Sequence, residues 1–421
     1  MNVANLQKTD RWLGSGLCFF LTLLRKVIEP RKVKSIGKTS DPDAKPADSP
    51  RRLLFVKLAE QGSTVLAYPA IRKAVEMVGQ ENVYFIVFAE NRFILDVLGL
   101  IPEQNVLTLS PKSFASLAVS FLRAIRSLRA LKLDAAIDLE FFARGSAAIT
   151  FLSGAKRRVG FHSFFGEGPY RGDLMTHRLL YNPYLHTAQM FQIMVEALNV
   201  DPAKLPTLNL LPPPLEAQPP MFLPRPEELA EVKNLLGAEI GCGDCPPLVL
   251  LNPNASDLLP LRKWASDRYV ELAIRLLRLH PEIYIAMTGA PNERLVIEQL
   301  VREVGSARCV SLAGKTTLRR LLVLYHLAEV LVTNDSGPAH FASLTPIQVI
   351  TLFGPETPAL YATRTPRSIA LWSGIVCSPC VNAQNNRQSP CQNNVCMQQI
   401  TVDQVFAEAE RILNHRMTKR H

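Results

Sequence analysis

The chain has 421 residues, 48% of them hydrophobic and 20% charged, with a formal net charge of +10. That length and apolar content suffice for two ordinary cores and hardly for three. The excess charge is largely terminal, with eleven Lys or Arg against five Asp or Glu in residues 1–52. No zinc-finger, RNP or helix-turn-helix pattern occurs, so the composition argues against nucleic acid and favours an acidic membrane surface as the partner.

Trp12 to Leu24 is a run of thirteen residues without a charge, short of the roughly 20 needed to span a bilayer. Leu13, Leu17, Phe20, Leu21, Leu24 and Ile28 fall near one helical face, with Trp12 at its edge and Arg11, Arg25, Lys26, Arg31, Lys32 and Lys34 flanking. This predicts an amphipathic helix lying in the plane of an anionic membrane, the alternative being a helix packed on the protein's own body. The sequence continues VIEPRKVKS without the small-residue cleavage site of a signal peptide, so export is not expected. Residues 37–52, with Pro42, Pro46 and Pro50 among charges, read as a flexible tether. Asp41-Pro42-Asp43 is formally a D-x-D, but it sits in that tether and carries no metal prediction.

Leu53 to Leu58 reads as a buried strand, Gln61-Gly62-Ser63 as a turn, and Val65 to Val78 as an amphipathic helix with Pro69 near its start. Strand-like runs recur at Val83 to Phe88 and Ala135 to Leu139, which predicts a doubly wound α/β domain over residues 51–211. Strand carboxyl ends in such a sheet face the ligand crevice, where Asp138 and Glu140 would lie. His162, His177 and His186 lack metal-ligand spacing and read as structural.

Prolines at 212–214, 219, 220, 224 and 226 mark a linker over 212–246. Leu248 to Leu251 opens a second sheet, in a domain spanning 247–400, and Ile283 to Thr288 is another strand with a loop at its end. Cys377, Cys380, Cys391 and Cys396 stand as CSPC, ten residues, then CQNNVC. Such thiolate pairs can hold a structural Zn, and the alternative is a loop of ordinary thiols. Cys242 and Cys245 form a weaker pair. Residues 401–421 hold a C-terminal helix, amphipathic from Thr401 to Leu413.

The most informative stretch is EVLVTNDSGPAHFASLTPIQVITLFGP, Glu329 to Pro355. It reads as strand, turn, helix and strand: Glu329 to Thr333 is β-branched and apolar, Asn334 to Gly337 is turn chemistry, Pro338 suits a first helical position, and Ile347 to Phe353 is buried again. A helix opening behind Asn334, Asp335, Ser336 and Gly337 points unpaired N–H groups out of the sheet edge, where they stabilise an anion such as phosphate. His340 can add a donor. The plainer alternative is a capped core helix.

This stretch, with LAGKTTLRRLLVLYHLA before it and FGPETP after it, resembles glycosyltransferase family 9, the heptosyltransferases of lipopolysaccharide synthesis. The resemblance covers the chain from Arg52 onward and leaves the first fifty residues unexplained. It implies two Rossmann-like doubly wound domains facing a cleft, the GT-B arrangement, and inverting transfer of heptose or a similar sugar from a nucleotide-diphospho-sugar to a lipid-linked saccharide. It implies no catalytic metal or cofactor, and a peripheral position on the cytoplasmic face of the bacterial inner membrane. Lys263 matches the family's phosphate-binding lysine and Glu293 the position that contacts the nucleoside ribose. The Gly160 to His186 segment suits an acceptor-binding loop, and the closing helix commonly crosses back to the first domain. Where the family carries Gly-Asp after the first strand, with the Asp as base, this chain has Gly62-Ser63. A serine cannot serve as that base unaided. Glu60, three residues earlier, is the natural substitute, and Asp138 or Glu140 come second. Loss of the Asp leaves open an inactive relative that only binds a nucleotide sugar. A sugar-nucleotide epimerase or dehydrogenase would need G-x-G-x-x-G after the first strand, which KLAEQGSTV lacks.

Overall fold

The computed structural model describes residues 3–29, 49–215, 219–241, 246–255 and 259–418. The tether with Asp41 and Asp43, and the Cys242–Cys245 pair, lie outside the described residues. Two parallel sheets carry the rest. The first contains β1 (Leu53–Val56), β2 (Val83–Phe88), β3 (Val106–Leu109), β4 (Ala135–Asp138), β5 (Arg157–Phe161) and β6 (His177–Leu179), in the order β3-β2-β1-β4-β5-β6. The second contains β7 (Leu248–Asn252), β8 (Tyr284–Met287), β9 (Cys309–Ser311), β10 (Val330–Asn334), β11 (Gln348–Phe353) and β12 (Ser368–Trp372), in the order β12-β11-β10-β7-β8-β9.

Counted along the chain, both sheets have the same doubly wound order, and every pairing is parallel. The strand order reverses between β1 and β4 in one and between β7 and β10 in the other. In such sheets ligands approach the carboxyl ends of the strands at that reversal. The central strands β1, β4, β7 and β10 are buried along their whole length, as continuous apolar runs covered on both faces require.

The chain divides into two compact units, Met1–Ala217 with Ala383–Arg387, and Gln218–Asn382 with Gln388–His421. Several expectations shift in detail. The turn at 61–63 is helical: Gln61–Leu66 forms one helix and Tyr68–Val78 a second, because Pro69 fits only the first turn of a new helix. The stretch 212–246 is not a plain linker, since Pro226–Ile240 is a helix with Pro226 first, Glu227 and Glu228 in the first turn and Gly241 left-handed at its end. These are ordinary start and stop signals. That helix is pinned by ion pairs from Arg319 to Glu228, Arg320 to Glu231, and Lys315 to Glu239 at 2.7 Å. The expected binding loop at 160–186 contains the end of β5 and all of β6. The closing helix, Val402–Thr418, belongs to the second unit, where Val405, Ala409, Ile412 and Leu413 join the core cluster that also holds Leu272 and Leu276.

Candidate functional site

At the first reversal, β1 is followed by Lys57 and the loop Leu58–Glu60, and β4 ends in Asp138 with Glu140 two residues on. Lys57 is fully buried, and its Nζ donates to Ala59 O at 2.8 Å and Glu140 Oε2 at 3.1 Å. Burial pushes this amine below its ordinary pKa, while the Glu140 carboxylate pulls it back. Glu140 Oε1 also accepts from Leu58 N and Ala59 N at 2.8 and 2.9 Å. Asp138 is fully buried; it accepts from Ser146 Oγ at 3.0 Å and Glu140 N at 3.1 Å, and it pairs with Arg171. Burial lifts its pKa to about 6 against the pull of Arg171.

Asp138 and Glu140, the second-choice bases, are therefore both engaged: Glu140 ties the end of β1 to that of β4, and Asp138 is held by Ser146 and Arg171. An unpaired carboxylate in such a place would cost several kcal/mol, which is why each has its cation.

Glu60 differs. It is half-buried, its side chain 34% exposed, and its backbone is left-handed at φ 63 and ψ 75. For a residue with a side chain this costs on the order of 1–3 kcal/mol, and such outliers gather at functional sites. Ser63 holds it there. Ser63 N and Oγ donate to Glu60 O at 3.0 and 2.9 Å, and Oγ lies 3.4 Å from Glu60 Oε2. The residue that replaces the family's Asp thus positions its neighbour. Lys57 Nζ lies 3.6 Å from Glu60 Oε2, and Arg387, whose guanidinium sits 5.9 Å from the Phe141 ring centre, pairs with Oε1. Gly62 is buried within the short helix and presents no side chain.

At the second reversal, β10 ends in Asn334. Its side chain is saturated: Oδ1 accepts from Trp264 N at 3.1 Å and Tyr269 Oη at 3.2 Å, and Nδ2 donates to Pro253 O and Asn254 O, both at 3.1 Å. Expected to face a ligand, Asn334 instead ties the loop after β7 to the Lys263–Trp264 segment. Trp264 is buried, donates through Nε1 to Ile400 O at 2.8 Å, and packs edge-on against Tyr269. Lys263 is displayed beside this anchor, exposed and without an ion pair among the described residues.

Asp335 and Glu356 are buried around one guanidinium. Arg262 pairs with Glu356, lies 3.5 Å from Asp335 Oδ2, and donates to Asp335 O at 3.2 Å. Burial raises the Glu356 carboxyl above the usual range, and the neighbouring Asp335 adds to it. Ser336 stands at the N-cap position of the helix Gly337–Ala342 without a side-chain capping bond, and its Oγ donates to Asn334 O at 3.1 Å. That helix is only six residues long, so its leading amides, rather than a macrodipole, are what it offers an anion. His340 is buried with Nδ1 unpartnered, and burial lowers its pKa to about 4, so the ring is neutral near neutral pH. Glu293, in the turn after β8, accepts from Ala290 N at 2.6 Å.

The four clustered cysteines do not form the ligand set that their spacing suggests. Among the described residues no group of three or more His, Cys, Asp or Glu could hold a metal. Cys396 is buried, Cys377 is exposed, Cys380 Sγ accepts from Ser389 Oγ at 3.2 Å, and Cys391 Sγ donates to Asn393 O at 3.1 Å. Two of the three histidines of the 160–186 segment are structural: His177 Nδ1 meets Thr176 Oγ1 at 2.9 Å, and His186 caps the following helix. Sequence reading passed over Lys57, Arg171, Arg262, Glu356 and Arg387. A lone charge inside or just after an apolar strand, as in LLFVKL and FGPE, was the available signal.

Comparison with known proteins agrees with this fold. Residues 121–390, more than half of the chain, match the family model described as glycosyltransferase family 9 (heptosyltransferase). Lipopolysaccharide heptosyltransferase 2 of Salmonella typhimurium is 26% identical over 269 residues, 62% of this chain and 72% of that protein. Lipooligosaccharide heptosyltransferase 2 of Campylobacter jejuni is 25% identical over 167 residues, 38% of this chain and half of that one. The structure of E. coli ADP-heptose lps heptosyltransferase II superposes with a TM-score of 0.64 at 17% identity, covering 87% of this chain and 99% of that one. Taken with the paired sheets of identical strand order, these matches mean that the chain belongs to glycosyltransferase family 9, a family of sugar-transferring enzymes.

Proposed function

We propose that the chain is an inverting, metal-independent glycosyltransferase that moves a sugar, heptose or a similar one, from a nucleotide-diphospho-sugar to a lipid-linked saccharide such as lipopolysaccharide core. The observation that carries this reading is the turn from Asn334 to His340 at the reversal of the second sheet, where a buried neutral His340 keeps an unpartnered ring nitrogen, together with Lys263, exposed and without an ion pair among the described residues. The printed names of the relatives, heptosyltransferases of lipopolysaccharide and a structure titled for ADP-heptose, support the donor and acceptor classes.

In this reading the second unit holds the donor. Lys263 and the amides of Ser336 and Gly337 meet the diphosphate, His340 and Asp335 face the transferred part, and Glu293 takes the ribose. The Glu60 carboxylate receives the proton of the acceptor hydroxyl as that oxygen bonds to the anomeric carbon. The bond to the diphosphate breaks from the opposite face, and Lys263 stabilises the charge that leaves. Ser63 fixes Glu60 in place, with Gly62 giving the backbone room. A lipid-linked acceptor places the work at the cytoplasmic face of the inner membrane.

The alternative is a relative that binds a nucleotide sugar without turnover, and the pairing of Glu60 with Arg387, which a base must escape, is the observation in its favour. A panel of sugar nucleotides, assayed for binding by calorimetry and for hydrolysis or transfer by product analysis, separates the two. Turnover of any one donor supports the enzyme, binding without turnover supports the alternative, and neither contradicts both.

A further inference from the structure

The helix Val3–Ile28 is joined to the first unit along one face. Cys18 and Leu21 enter an apolar cluster with Ala147, Ala148, Leu174 and Met175. A side chain at Gly14 would meet Arg144 at 2.7 Å, so the close approach of that turn requires glycine. Polar clamps run along the same face. Asp10 accepts from Arg144 N and Gly145 N at 3.0 and 2.7 Å, Thr22 Oγ1 accepts from Asp173 N at 2.9 Å, and Arg25 bonds Asp173 at 2.5 Å. Just past the helix, Glu29 meets Arg158 through two bonds at 3.0 and 2.7 Å. Both carboxylates of this segment are thus turned inward and paired.

The opposite face is apolar and open. Trp12, Leu13, Phe20, Leu24, Val27 and Ile28 lie along it, with Trp12 83% and Val27 78% exposed. Of the apolar stripe expected from the sequence, only Leu21 is buried. Lys8 and Lys26 stand about five turns apart in one row bordering this face, exposed and without ion pairs among the described residues. No described helix is long and apolar enough to cross a membrane. A face of this extent is far larger than the scattered apolar residues of an ordinary soluble surface.

We infer that this face is a docking surface for an anionic phospholipid bilayer, with the helix lying in the interface plane and clamped to the first unit rather than trailing on a tether. The inference rests on the lipid-linked acceptor of the proposed function. Charge decides between a bilayer and a second copy of the chain. In an antiparallel symmetric pair Lys8 of one copy would approach Lys26 of the other, whereas against anionic headgroups both lysines are complemented. The helix packs on Arg144–Leu152, which follows β4, so the docking surface and the carboxyl end of β4 belong to one packed body.

The test is flotation of the full chain with phosphatidylcholine vesicles containing phosphatidylglycerol, at low and high salt, beside the variant Phe20→Ser/Val27→Ser. Both residues are exposed, so thermal melting of the variant should match the wild type. Wild type should co-float, less so at high salt, and the variant should lose about tenfold or more in partitioning. Equal flotation of both proteins, or none of the wild type, overturns the inference. So does a dimer that ignores vesicles and is lost in the variant, which would assign the face to a second copy. Donor binding measured on the same samples keeps the two claims apart: its presence without flotation sinks the docking surface alone, and its absence sinks the transferase reading.

Discussion

The two sheets share one strand order but treat charge differently where that order reverses. At β1 and β4, three carboxylates meet three cations: Asp138 with Arg171, Glu140 with Lys57, and Glu60 with Arg387. At β7 and β10, two carboxylates share one guanidinium, a buried ring nitrogen is unpartnered, and Lys263 has no ion pair among the described residues. The first reversal is a closed lattice from which Glu60 and its partner Arg387 reach partly into solvent. The second keeps donors and a cation unspent, as a site for an anion does. Identical topology therefore fixes where ligands approach, and the charge balance at each reversal decides what can happen there.

The closed lattice breaks most severely at its most buried pair. Arg171→Met leaves Asp138 without a cation in a dry site, and the loss of stability at neutral pH should be about 3–5 kcal/mol, read by denaturant unfolding. The loss should shrink at acidic pH, because an uncharged Asp138 needs no partner. A change below about 1 kcal/mol would show the lattice to be looser than its burial implies.

The second reversal should show its neutral histidine as a pH effect. His340 has a folded pKa of about 4, against an ordinary value near 6.5. Between these values the unfolded chain binds the proton more readily, so the ring's contribution to stability falls as pH drops through that window. Relative to His340→Gln, the wild type should lose on the order of 3 kcal/mol between about pH 7 and about pH 4. Parallel pH profiles of the two proteins would place a solvated histidine there.

Lys263→Ala should have the smallest effect and the most specific. One charge-assisted contact is worth about 1.5–3 kcal/mol, so nucleotide-sugar affinity should fall about tenfold or more while stability is unchanged. Calorimetry showing equal affinity would remove Lys263 from the donor site.

How much of this was legible in the sequence varies with how local each feature is. The strand, turn, helix and strand of 329–355 announced themselves because apolar runs and turn residues are adjacent in the chain. β5 and β6 did not, since a strand opening on Arg157-Arg158 and one of three residues have no apolar run to show. The helix Pro226–Ile240 was hidden by the prolines that surround its start. Asn334 and Glu140 were placed at the right strand ends, but their saturation by Trp264, Tyr269, Leu58 and Ala59 depends on partners far along the chain. Arg387 could not be linked to Glu60 without the fold, as 326 residues separate them. Ser63 was read as a lost catalytic group, and the structure gives it a role in holding Glu60 that only coordinates reveal.

In the proposed reaction Glu60 is the group that accepts the acceptor's proton. The direct measurement is turnover and donor affinity of Glu60→Gln with a donor identified from the panel. General-base catalysis is typically worth 10²- to 10⁴-fold, so turnover should fall by about that factor while donor affinity stays within about twofold. Retention of more than about a third of wild-type turnover would contradict the assignment, since that lies far outside the range for a lost base.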